Sequence, residues 1–178
     1  MMLKILKGVF NNKERSADLG EELVSLLLEL NSEEEIMSLL RNDSAQELEE
    51  KLNLVLVYSY LFSYKLVTRI NDIRMDAKLL EEIYNNFAIV ISKQRLEDYE
   101  IQVAELEEMV EDLVFNYQRN FAAKRNVEIE KVVELLCREL DEEIDLELKS
   151  ALANFLLKNI TIIQDFLVEK SLYLKTKY

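Results

Sequence analysis

Histidine, proline and tryptophan are absent from this chain, and one cysteine and two glycines are all it holds of those types in 178 residues. Each shortage excludes something. Without histidine there is no imidazole base, no Ser–His or Cys–His nucleophile, and no histidine ligand for zinc or di-iron. The single Cys137 permits neither an intrachain disulfide nor a CxxC pair, which suits a reducing cytoplasm. Sheet-rich folds rely on glycine, proline and asparagine in their turns, so a chain nearly free of Gly and Pro reads as all-helical. No secretory signal is expected, because the apolar part of "MMLKILKGVF" is short and no small-residue cleavage site follows it.

What is present is a 49% apolar chain with 32% charged residues and a net charge of −13. That apolar content can build a core, and the length suits one domain spanning residues 1–178, with 1–15 as a mobile or peripheral N-terminal segment. The negative charge argues against direct nucleic-acid binding, which needs clustered Lys and Arg to neutralise phosphates.

The apolar periodicity predicts a bundle of six or seven helices. Asn11 and Asn12 are expected to end a short amphipathic start, and Ser16 to cap a helix reaching about Leu30. Capping boxes at Ser32–Glu35 and Ser44–Glu47 would open a short helix and then a long one at roughly 47–74. The long one contains "LNLVLVYSYLFSY", with no charge from Leu52 to Tyr64. Thirteen helical residues span only about 20 Å, short of the roughly 30 Å of a bilayer core, so no transmembrane segment is expected there. A helix apolar on every side is enclosed by others, which makes this the central helix, with Tyr58, Tyr60, Phe62 and Tyr64 as core rather than cofactor lining.

Leu96, Tyr99, Val103, Leu106, Val110, Leu113 and Tyr117 form an a/d seam, out of phase with the stripe ending at Ile91. The slip predicts a break around "SKQR", so that 77–125 forms two helices; one long coiled-coil arm is the alternative. The seam must be buried inside the monomer or in a homodimer, and its like-charged flanks favour the monomer. Two further helices follow, one around Val132, Val133 and Leu136, the other with Leu152, Phe155, Leu156, Ile160, Ile163 and Leu167 on its core face.

The strongest anomaly lies on the seam's outer side. Residues 96–118 carry eight acids, Glu97, Asp98, Glu100, Glu105, Glu107, Glu108, Glu111 and Asp112, and no Lys or Arg. Solvated helices usually mix both signs, because like charges at i,i+4 repel. These residues are the candidate binding surface for a basic protein partner. The plainer reading is a solvated face whose counter-charges come from Arg119, Lys124 or the basic stretch 65–78.

Carboxylates also suit magnesium. "EEMVE" at 107–111 and "EEID" at 142–145 resemble the EExxE…ExxD pattern of all-helical MazG-type nucleotide pyrophosphohydrolases. That resemblance implies Mg²⁺ held by Glu107, Glu108, Glu111, Glu142 and Asp145, although the gap between the two motifs is long. The leading expectation is a non-enzymatic, cofactor-free, cytoplasmic acidic protein that inhibits or neutralises a basic partner. In these general properties only, it is similar to bacterial immunity proteins and phage anti-defence inhibitors. A self-associating structural protein and the magnesium enzyme are the alternatives.

Overall fold

The uncharged run from Leu52 to Tyr64 is helical throughout. A computed structural model describes residues 2–31, 45–70, 73–96, 99–121, 129–139 and 146–176. Among these residues there are six helices and no strand: α1 (Met2–Leu30), α2 (Ala45–Ile70), α3 (Ala77–Arg95), α4 (Tyr99–Phe121), α5 (Ile129–Glu139) and α6 (Leu146–Thr176). The protein is an all-α helical bundle.

Helix α2 is the axis of the bundle and packs against α3, α4 and α6. Every residue from Val55 to Val67 is buried, including Tyr58, Tyr60, Phe62 and Tyr64. Enclosure on all sides explains why this helix needs no polar face. Ser59 and Ser63 are buried too, and neither hydroxyl has a hydrogen-bond partner.

Several boundaries differ from expectation. Helix α1 runs unbroken from Met2 to Leu30, so Asn11 and Asn12 do not interrupt it and Ser16 is not its cap. Ser16 is instead buried mid-helix, where its Oγ accepts from Nδ2 of Asn86 on α3 at 3.4 Å. Helix α2 ends at Ile70 rather than at residue 74. The chain is already non-helical at Ile73, whose carbonyl accepts from the Met75 amide at 2.9 Å. Asp76 then caps α3 by accepting from the Lys78 and Leu79 amides, satisfying donors that a helix start leaves free.

The break at "SKQR" is present. Leu96 adopts an extended backbone, φ −117° and ψ 134°, directly after α3, and α4 begins at Tyr99. The region 77–121 is thus two helices and not an arm. The short helix expected after Ser32 and the acidic run 141–145 lie outside the described residues.

Helix α1 lies on α3, with α6 beside it. Gly20 lies against α3, where an added Cβ would sit 2.9 Å from both Asn86 Cβ and the Phe87 backbone nitrogen. Neither atom is the end of a flexible chain. Gly20→Ala should therefore destabilise by about 1–2 kcal/mol, because separating the helices outweighs the roughly 1 kcal/mol that Ala gains in helix propensity. Thermal unfolding read by circular dichroism checks this; an unchanged or raised midpoint would mean that the helices part freely.

Helix α6 packs on α2, α5 and α1. Asn31 Nδ2 donates to Oδ1 of the fully buried Asn159 at 2.8 Å, and Lys170 pairs with Glu22. Residue 22 of α1 and residue 31, just past its end, thus meet 170 and 159 of α6, so the two helices run antiparallel. Within α6, Lys149–Leu172 is long and apolar enough to cross a membrane, although just over half of the apolar 18-residue stretch within it is buried inside the bundle. It is the only such segment among the described residues.

Candidate functional site

Helix α4 presents two unlike faces. Its inner face buries Leu106, Val110, Leu113, Val114 and Tyr117, so the described part of the seam is packed within the monomer. Leu96 is buried as well, but at the end of α3 rather than on α4. The Tyr58 hydroxyl donates to the Met109 carbonyl at 3.3 Å, tying α4 to the central helix. A homodimer through Leu106, Val110 and Leu113 would require this core to open.

The outer face carries Glu108, Asp112, Phe115 and Arg119, all exposed. Their spacing of four, three and four residues aligns them along one side of the helix. Phe115 is 57% exposed and stands one turn beyond Asp112. Sequence reasoning missed it. The signal was available, since Phe115 falls off the a/d seam that Leu113 and Tyr117 define.

Not all of the acidic residues are free. Glu111 is turned toward α2, where its carboxylate lies 3.1 Å from Lys65 Nζ and also pairs with Arg69. Burial alone would raise the Glu111 carboxyl; hydrogen bonds and charge from Lys65 and Arg69 overcome this and hold it below the ordinary carboxylate value. Lys65 is itself buried, 3.5 Å from Glu81 of α3 and 3.8 Å above the Tyr84 ring. An ammonium over an aromatic face, with two carboxylates in reach, is a compensated buried charge.

Around this point the rings of Tyr64, Tyr84 and Phe87 pack with centroids 5.4 and 5.7 Å from Tyr64, and the Tyr64 hydroxyl donates to the Leu80 carbonyl at 2.9 Å. Burial first, and then the negative charge of Glu107, Glu111 and Glu81, push the Tyr84 phenol well above its usual value, so it stays neutral. The counter-charge for Glu111 comes from the basic stretch 65–78, and Lys65 clamps α2, α3 and α4 at one point. A lone lysine closing an apolar run was the cue in the sequence for such a pairing.

Of the eight acids, Glu108 and Asp112 are exposed, Glu107 is half-buried, and Glu111 is held in the ion cluster. Glu100 and Glu105 lie on α4, but their side chains are outside the described residues, as are Glu97 and Asp98 altogether. Glu142 and Asp145, the second half of the paired carboxylate motif, are outside them too. Among the described residues no group of three or more His, Cys, Asp or Glu side chains is placed to hold a metal ion. Magnesium at Glu111 would compete with Lys65 and Arg69 for its carboxylate oxygens.

No family model, no curated protein and no solved structure matches this chain. The geometry of α4 therefore carries the functional reading.

Proposed function

We propose that the protein is a non-enzymatic acidic interaction module that docks and neutralises a basic protein partner, in the manner of an immunity or anti-defence inhibitor. The observation that carries this reading is the exposed line of Glu108, Asp112 and Phe115 on α4. Desolvated aromatics supply much of the binding energy in protein interfaces, while surrounding charge sets encounter rate and orientation. A −13 chain with carboxylates around an unburied phenylalanine supplies both. Its complement is a cationic surface with an apolar socket. A surface of that kind ordinarily binds nucleic acid, so covering it would inhibit.

The test separates docking from solvation. Glu107, Glu108 and Asp112 are replaced together by Lys, while Glu111 is kept because it belongs to the ion cluster. The partner is taken from the native host by affinity to the wild-type protein, and association is then followed at low and raised salt. The variant should associate about tenfold or more slowly at low salt, and the difference should shrink as salt screens the field. Phe115→Ala should leave stability within about 0.5 kcal/mol and speed dissociation about tenfold or more. Equal association rates for variant and wild type would reduce the acidic face to a solvated surface.

A further inference from the structure

Helix α6 combines an apolar composition with an open side. Of the seven large hydrophobic residues exposed among those described, four are on it: Leu146 at 82%, Leu157 at 52%, Val168 at 41% and Leu172 at 59%. Leu146, Leu157 and Val168 are spaced by eleven residues, three helical turns or about 16 Å, so they lie almost in line along the axis. Thr161 and Gln164 occupy the same strip between Leu157 and Val168, and neither is charged. The exposed charges flank one side only, with Lys158 one residue after Leu157 and Asp165 three before Val168. In a chain with 32% charged residues, a solvated strip free of charge over this length is unexpected.

We propose that this strip pairs with the same strip of a second copy, the two α6 helices lying antiparallel about a two-fold axis. The arrangement of charge selects this occupant. Pairing about an axis near residue 162 sets Leu157 against Val168 of the second copy, and Thr161 against its Gln164. The same operation keeps each flank on its own side and sets Lys158 against Asp165 of the second copy, twice by symmetry. The midpoints of these apolar and charged pairs differ by one residue, about 1.5 Å along the axis, within the reach of a lysine stem. Parallel pairing carries each flank across the interface and leaves both charges unmatched. A membrane surface is disfavoured by Asp165 and Glu169 beside the strip. The contact is distinct from the a/d seam of α4 and independent of the acidic docking face.

Sedimentation of the intact chain from low to high micromolar concentration tests it. The wild type should show a concentration-dependent dimer. Leu157→Glu and Val168→Glu change exposed positions, so they should keep the helical spectrum while weakening the dimer by about 30-fold or more, since symmetry applies each change twice. Lys158→Glu and Asp165→Lys should each weaken it about threefold to tenfold, and an equimolar mixture of the two should restore pairing as a heterodimer. A wild type that stays monomeric through the high micromolar range overturns the proposal. So do glutamate variants that dimerise unchanged, or a mixture that shows no restoration. A monomer whose Leu157→Glu form loses the basic partner instead would assign the strip to that partner and overturn the second copy.

Discussion

Phe62→Ala should lower the unfolding free energy by about 3–5 kcal/mol. Phe62 lies midway along α2 and is fully buried, in a helix enclosed by α3, α4 and α6. Deleting the ring loses its transfer free energy and leaves a cavity that neighbours on several sides cannot all collapse into. Against a total stability of about 5–15 kcal/mol this is a large share, and it corresponds to a fall of roughly 6–20 °C in Tm for a chain of this length. Urea unfolding with an unchanged slope and a lower midpoint would bear the expectation out. A loss near that of a surface site, below about 0.5 kcal/mol, would remove α2 from the centre of the fold. Phe115→Ala is the internal control, since the same side chain on α4 is mostly in water.

Lys65→Glu should be comparably damaging, at about 3–5 kcal/mol near neutral pH. It places a third carboxylate in a buried position where Glu111 and Glu81 now meet an ammonium. Lys65→Met keeps the packing of the stem and removes only the charge, so its cost should be nearer 1 kcal/mol. The pH dependence has opposite signs in the two proteins. In the wild type the folded-state value of Glu111 is depressed, so its contribution is full above the ordinary value of 4.5 and is lost as pH falls through the lower folded value. In Lys65→Glu the crowded carboxylates have raised folded values, bind protons more readily folded than unfolded, and regain stability as pH falls. Urea midpoints at about pH 7 and about pH 5 should therefore converge for the two proteins. A constant difference would mean that residue 65 does not share a field with Glu111.

Much of the fold was legible because its causes are local. The lack of proline and the scarcity of glycine exclude most sheet turns. The spacing of Leu106, Val110, Leu113 and Tyr117 defines a helix face whatever covers it. The slip between Ile91 and Leu96 announced the end of α3 at Arg95, because one straight helix cannot turn two phases of apolar residues to one core. Capping was less dependable. Asp76 caps α3 without having been among the expected caps, whereas the cue at Ser16 was overridden by the packing of α1 on α3 and Asn11 did not end the helix. Propensity at a few positions is worth tenths of a kcal/mol, and a buried helix face is worth several.

The sequence by itself determined the helical class, the enclosed central helix and the exclusion of histidine and disulfide chemistry. Composition and 3.6-residue periodicity act within one segment and need no neighbour. Only the tertiary structure decided which acids are free. Glu108 and Glu111 stand three residues apart on one helix, yet one faces water and the other meets Lys65 and Arg69, because α2 passes on that side. It also decided that Phe115 is exposed while Phe62 is buried, and that α6 is covered on only part of its circumference. These outcomes depend on where helices cross, and crossings are set by contacts such as Gly20 against Asn86 that lie far apart in the chain.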